Sequence, residues 1–366
     1  MLFDGEYPFF QTGDVKAANL WLSRFESTYN EKGLAQSKLW PAGTLCITIA
    51  ANIAESAVLG VPGCFPDSVV GFTPLPGVAD VFFVKYLLDH VKLRMQSISQ
   101  GTTQDNLSLQ KLLSIGVDVP DYATQRKIAS VLSAYDTLIE NNTRRIQILE
   151  EMAQAIYREW FVEFQYPGHD DVPLVDSDLG PIPEGWQAGT LSDLLVLQRG
   201  FDLPKKDRRE GSVPVIAATG RHGTHEHAAA KGPGVVTGRS GSLGAVLYIV
   251  GDFWPLNTTL WVKEFRGATP EFAFYVLKSL GLEQFNSGAA VPTLDRNDIS
   301  GHPMAVPPAD IVQRFSDVAR DMFHLKRTLE HSSAVLRTTR DLLLPRLISG
   351  EIDVSGLDIE LGDAAA

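Results

Sequence analysis

Two stretches of the chain place apolar residues at alternating spacings of four and three. Ile128, Leu132, Tyr135, Ile139, Asn142, Ile146, Leu149, Ala153, Ile156 and Trp160 form one series; Phe315, Val318, Met322, Leu325, Leu329, Ser332, Leu336, Thr339 and Leu343 form the other. A helix with this repeat keeps one face toward a single partner, as in a coiled coil. A polar residue interrupts each seam at the matching place, Asn142 and Ser332, 190 positions apart. An amphipathic helix in a local bundle has a similar period, but two seams in one chain can satisfy each other. A helix from about Gln125 to Phe164 would be roughly 60 Å long. Pro167-Gly168 and Pro181-Ile182-Pro183-Glu184-Gly185-Trp186 should end the first rod, while Pro345 should kink the second or begin its end before Gly350.

Between the rods the pattern shortens to strands. Val235-Val236-Thr237, Ala245 to Val250 and Thr258 to Val262 read as β-strands with glycine turns, followed by a helix from about Pro270 to Leu280. Earlier in the chain, Thr44 to Ile49 and a helix from about Ala79 to Gln96 repeat the theme. Gly101 to Leu107, Val119-Pro120 and Gln125-Arg126 recur as Gly288 to Leu294, Val306-Pro307 and Gln313-Arg314, at offsets of 187, 187 and 188. The expected fold is α+β: two domains of mixed β/α structure, separated by two long antiparallel coiled-coil helices. The expected boundaries are 1–120 for the first domain, 121–164 for the central helix, 165–186 for an acidic linker, 187–308 for the second domain, 309–349 for the last helix and 350–366 for an acidic tail.

Charge changes the picture only when it is localised. The formal net charge is −12. Phe161 to Leu195 holds seven acids and the stretch after Gly350 five, with no Lys or Arg in either, so the remainder is formally neutral. Within that remainder, Val196 to Ser240 has eight bases against four acids. No apolar run approaches the roughly 20 residues that span a bilayer, and Met1 to Glu6 does not read as a signal peptide. A cytoplasmic protein with no membrane partner is therefore expected. The two cysteines, Cys46 and Cys64, lack metal-ligand spacing and read as small buried thiols.

The basic stretch supplies the candidates for nucleic-acid contact: Arg199, Lys205, Lys206, Arg208, Arg209, Arg221, His222, Lys231, Arg239 and Ser240. A solvated surface would have the same composition. In the first domain the counterparts are Gln11, Thr12, Lys16, Lys38 and Asn52. Gly238-Arg239-Ser240-Gly241-Ser242-Leu243-Gly244 is spaced GxxGxxG, without the Lys-Ser/Thr of a P-loop or the GxGxxG of a dinucleotide site. It reads as a turn presenting one arginine, whose fork suits guanine edges and phosphates alike. His222, His225 and His227 lack an acid or cysteine cluster that would make them a metal site. Val306-Pro307-Pro308-Ala309 is not the Asn/Asp-Pro-Pro-aromatic motif of an aminomethyltransferase, and neither GxSxG nor HExxH occurs. No catalytic residue is expected.

In this order, these residues resemble the DNA-specificity (S) subunit of Type I restriction-modification systems. The resemblance runs nearly the whole length. It rests on Leu179 to Trp186 opening a recognition domain, Gly238 to Gly241 within it, Val306-Pro307-Pro308 with Gln313 before a spacer helix, Tyr157 to Phe161 ending the central helix, and Leu342 to Ile352 ending the last. It implies a non-catalytic subunit that reads the two halves of a split site in double-stranded DNA. It also implies two modification subunits carrying S-adenosylmethionine, restriction subunits using ATP and Mg2+, and no cofactor in this chain. The rival is a coiled-coil protein-interaction scaffold without DNA readout. The second domain has about thirty residues, Pro183 to Ser212, before Val213-Pro214-Val215-Ile216, whereas the first begins almost at once with Tyr7 to Val15. The first is therefore expected to lack its opening segment.

Overall fold

A computed structural model describes residues 1–99, 107, 109–288, 290–359 and 361. Of the repeated motifs, Gly101 to Asn106 and Ala289 lie outside the described residues, as do Glu360 and Asp363 of the tail. The chain forms two compact units: unit 1 comprises 1–146 with 328–366, and unit 2 comprises 147–327.

Elements in the first part of the chain are β1 (Phe3–Phe9), α1 (Thr12–Ala17), β2 (Trp21–Leu22), β3 (Ser27–Tyr29), α2 (Glu31–Leu34), β4 (Leu45–Thr48), β5 (Ser56–Leu59), β6 (Val69–Phe72), α3 (Val81–Ser99), α4 (Leu109–Leu113) and α5 (Tyr122–Phe161). Then follow β7 (Leu174–Val175), β8 (Ile182–Pro183), β9 (Gln187–Thr190), α6 (Leu191–Leu194), β10 (Leu195–Arg199), β11 (Val213–Ala217), β12 (Gly220–His225), β13 (Gly234–Gly238), β14 (Val246–Ile249), β15 (Trp254–Pro255), β16 (Thr259–Phe265), α7 (Pro270–Ser279), α8 (Arg296–Ser300), β17 (Pro303–Val306) and α9 (Ala309–Ile348).

In unit 1 the sheet runs β2-β5-β4-β6. Every residue of β4 and β5 is buried, which explains why Leu45-Cys46-Ile47-Thr48 and Ser56 to Leu59 show no clean polar alternation. One side packs Leu45, Ile47 and Val58 with Phe82, Phe83 and Tyr86 of α3 and with Ile128, Leu132 and Leu347. Phe10, Val15, Cys46 and Leu59 belong to a second cluster. Asp80 starts α3 by accepting the N–H groups of Phe82 and Phe83, each at 3.0 Å. The tail is not simply a solvated acidic strand: Val354 is buried in the unit 1 core, and Lys127 Nζ donates to the Ser355 carbonyl at 2.6 Å.

In unit 2 the sheet runs β10-β16-β13-β14. Pro270 follows Thr269, whose hydroxyl accepts the Phe272 N–H at 3.2 Å, so α7 begins where capping chemistry directs. Phe272, Tyr275 and Val276 then bury against Tyr157 of α5 and Phe315 of α9. Despite its acids, the linker contributes Tyr166, Ile182 and Trp186 to a small core with Ile311.

The two units share one three-stranded antiparallel sheet with its first strand in the middle, β5-β4-β6 in the first and β14-β13-β16 in the second. The matching extends to single backbone bonds. Ile49 N–H donates to Ser68 O at 2.9 Å, as Arg239 N–H does to Thr258 O at 2.8 Å. Leu107 N–H donates to Ile49 O, and Leu294 N–H to Arg239 O, both at 2.8 Å. Both leucines are fully buried.

Helices α5 and α9 have 40 residues each, so each is about 60 Å long at 1.5 Å per residue. Within unit 1 they run antiparallel, with Asn142 Nδ2 donating to Ser332 Oγ at 3.4 Å and Asp136 paired to Arg340. Within unit 2 the same sense holds, Glu150 pairing with Lys326 and Tyr157 meeting Phe315. The α9 seam differs from the expected one. Phe315, Met322, Leu329, Leu336 and Leu343 face inward, but Val318 and Leu325 are 40% exposed. Ala319 and Ser333 are buried at the intermediate positions, and Lys326, Arg340 and Leu347 complete that row. The physical reason is that α9 covers more than α5: Ser316 Oγ meets Thr269 Oγ, and Phe323 stacks on Tyr248 at 4.2 Å. Pro345 does not end α9, which continues to Ile348 before Gly350 turns with φ +76°.

Burial also sets an alkaline limit on this fold. It raises Tyr86, with the Asp136 charge adding to the effect, and pushes Tyr157 and Cys46 up to about 12. In the unfolded chain tyrosine ionises near ~10 and cysteine near ~8.5. The unfolded state therefore loses protons first, and stability should fall as pH rises past ~9, by up to ~1.4 kcal/mol per pH unit for each such group. Thermal unfolding between pH 8 and 11 checks this; a flat melting temperature would contradict it.

Candidate nucleic-acid interface

The expected cations of unit 2 sit at the end of β10 and on the loop after it, on β12 and the loop from β12 to β13, and on the turn after β13. Arg199, Arg239, Arg208 and Arg209 form two connected groups. In one, Arg199 Nη2 lies 3.5 Å from Asp202 Oδ2, Asn257 Nδ2 donates to the other Asp202 oxygen, and Arg239 Nη1 reaches Asn257 O at 3.5 Å. The chain thus brings Arg199 and Arg239, 40 positions apart, into one network. Gly238 makes room for this turn, because a Cβ there would stand 1.8 Å from Ser242 O. Ser240 is held by an isolated bridge to Thr293.

The second group is built on β12. Arg208 Nη1 donates to His222 O at 2.7 Å, and Arg209 Nη1 to Glu226 Oε1 at 2.9 Å. The Arg209 backbone N–H donates to Nδ1 of His225, which is buried edge-on against Trp254 at 5.2 Å. Among the described residues, no group of three or more His, Cys, Asp or Glu is placed to hold a metal ion. Gly220, at φ +111°, permits the tight turn into β12. Phe201 and Leu203 anchor the loop, the first beside Trp254 and Trp261, the second against Val215, Ala217 and Leu256.

These contacts divide the candidates by availability. Arg199, Arg208 and Arg209 already hold protein partners. Lys205, Lys206, Arg221 and Lys231 are exposed and have no side-chain partner among the described residues. A free exposed cation can meet a phosphate without breaking anything, whereas the paired ones must exchange partners.

Only two of the five unit 1 candidates are cations, Lys16 and Lys38. Lys16 Nζ donates to Asn52 Oδ1 at 3.3 Å, so those two candidates meet. Lys38 sits 3.6 Å above the Trp40 ring, itself stacked on Phe65. Gln11 precedes α1, its N–H donating to Asp14 Oδ2 at 2.7 Å, and Thr12 is the first residue of that helix. At the position of Arg239, unit 1 has Ile49. Sequence reading missed Asp202 and Asn257, which hold Arg199 and Arg239. No helix among the described residues is long and apolar enough to cross a membrane.

A family model described as the Type I restriction modification DNA specificity domain matches residues 2–151. The Type I restriction enzyme MjaIX specificity subunit of Methanocaldococcus jannaschii is 25% identical over 369 aligned residues, spanning 92% of this chain and 84% of that protein. The EcoprrI specificity subunit of Escherichia coli is 22% identical, spanning 94% and 88%. The fold is also that of the crystallised Type I restriction-modification S subunit from M. genitalium, with a TM-score of 0.66 at 16% identity, covering 94% of this chain and 93% of that one.

Proposed function

This chain belongs with the specificity subunits of Type I restriction-modification systems, and from that premise we propose that it reads a bipartite site in double-stranded DNA. Each unit would take one half-site. The observation that carries the reading is the duplicated three-stranded sheet, in which Ile49 of unit 1 and Arg239 of unit 2 sit on the same backbone bonds. The resemblance gives paired helices the part of a ruler for the spacer between half-sites, and α5 and α9 would take that part here. Lys205, Lys206, Arg221 and Lys231 would contact phosphates, while Arg239 would reach a base edge. The chain would also assemble two modification subunits, which bring S-adenosylmethionine, and restriction subunits, which use ATP and Mg2+. Catalysis would reside in those partners.

Because Ile49 stands where unit 2 has Arg239, the two half-sites should be read by different side chains and should differ in sequence. Selection of duplexes from a random pool is expected to recover two short motifs at one fixed gap. Repeating it with Arg239→Ala should relax one position of one motif, at a cost of about 1–3 kcal/mol, and leave the other motif intact. Absence of any salt-sensitive duplex binding would instead favour a protein scaffold.

A further inference from the structure

At one end of the shared sheet, Gly238 of β13 pairs with Thr259 of β16 in unit 2, and Thr48 of β4 pairs with Val69 of β6 in unit 1. One step beyond each pair come the bonds from Arg239 N–H to Thr258 O and from Ile49 N–H to Ser68 O. The next residues out on the second chain are Asn257 and Asp67. They therefore hold one position in the two copies, on the turns that lead into β16 and β6.

In unit 2 that turn is held closely. Gly200 N–H donates to Thr259 O at 3.0 Å and Phe201 N–H to Pro255 O at 2.8 Å. A Cβ on Gly200 would stand 2.2 Å from Leu256 O, so glycine is what permits the approach. It brings Asp202, itself 3.5 Å from Arg199 Nη2, to the Asn257 side chain, whose Nδ2 donates to it. An amide nitrogen carries two N–H groups. With one given to Asp202, the other and Oδ1 remain as a planar donor–acceptor pair, which matches the N7 and N6 edge of adenine. Arg239 reaches the main-chain carbonyl of Asn257, at 3.5 Å, and so does not occupy that pair. Asp67 of unit 1 is exposed, has no side-chain partner among the described residues and, ionised, offers acceptors only. It matches the N4 amino group of cytosine.

We infer that Asn257 and Asp67 are base-reading residues, one in each unit, and that Asp202 is the positioning residue that fixes the plane of the Asn257 amide. The inference rests on the DNA reading proposed above and extends it, from Arg239 to a second position in unit 2 and a first in unit 1.

Selection of duplexes from a random pool by the full chain tests it, with Arg239→Ala run alongside. Asn257→Ala should lose a roughly 10–100-fold preference for adenine at one position, in the motif that Arg239→Ala relaxes but at a different place within it. Asn257→Asp should turn that preference toward cytosine. Asp202→Ala should weaken the preference and, by releasing Arg199 to phosphates, steepen the salt dependence by about one logarithmic unit of slope. A purely structural residue would lower the melting temperature and move neither. Asp67→Ala should relax a position of the other motif alone. If two motifs emerge and neither Asn257→Ala nor Asp67→Ala relaxes any position, the inference is overturned and the DNA reading stands. Uniform loss of affinity with both motifs intact would assign these residues to phosphate or to the fold and would likewise overturn it. If the unaltered chain recovers no motif, the DNA reading fails and this inference fails with it.

Discussion

Replacing Asp136 by alanine should destabilise unit 1 by about 3–5 kcal/mol, the usual cost of removing one member of a buried pair. Asp136 is fully buried on α5, accepting a bond from Tyr86 Oη at 2.6 Å and pairing with Arg340 of α9. It therefore ties α3, α5 and α9 together. Without it, the hydroxyl of Tyr86, a residue 1% exposed, and Nη1 of the largely buried Arg340 lose their partner. Arg340 would keep only Asp341, at 2.9 Å. Denaturant unfolding followed by exchange of the α3 amides measures the loss, and a shift below ~1 kcal/mol would mean that water replaces the carboxylate. Because the chain has two compact units, a transition that separates into two steps is the expected form of the data.

Removing the four free cations should be nearly as severe for DNA binding. If Lys205, Lys206, Arg221 and Lys231 each neutralise one phosphate, the fourfold alanine variant should flatten the salt dependence by about 3–4 logarithmic units of slope. Between 50 and 200 mM salt that corresponds to a roughly hundredfold smaller change in affinity. The fold should be unaffected, since none of the four side chains has a protein partner among the described residues. Binding titrations at several salt concentrations decide it; an unchanged slope would place the phosphate contacts elsewhere, beginning with Arg199, Arg208 and Arg209.

The helices and the main strands were legible because burial imposes a period on the sequence. The seam of α5 follows its expected positions, with Ile128, Leu132, Ile139 and Ala153 buried. The seam of α9 departs at Val318 and Leu325 because a heptad describes a helix facing another helix. Near Thr269 and Tyr248, α9 also faces α7 and β14, and the apolar stripe turns accordingly. Asp136 escaped notice beside Tyr135, since a charged residue next to a seam reads as solvated unless its partner, 204 positions away, is known.

The candidate cations of unit 2 were legible in composition, but their wiring was not. Spacing could not separate Arg208, bound to His222, from Lys206, bound to nothing, nor show that Lys16 meets Asn52 across 36 positions. Trp186 lies within a run of acids yet is buried with Tyr166 and Ile182. Such facts depend on which loops meet, and no local pattern encodes that.

Ile49 and Arg239 occupy the same backbone frame with opposite chemistry. Each gives its N–H to one neighbour and its carbonyl to a buried leucine's N–H, so the main chain is fixed without help from the side chain. The frame therefore works as a mount and the side chain as a replaceable tip. If each unit reads a half-site as proposed, a lineage could change what one of them reads through a handful of codons, without rebuilding the sheet beneath and without disturbing the other.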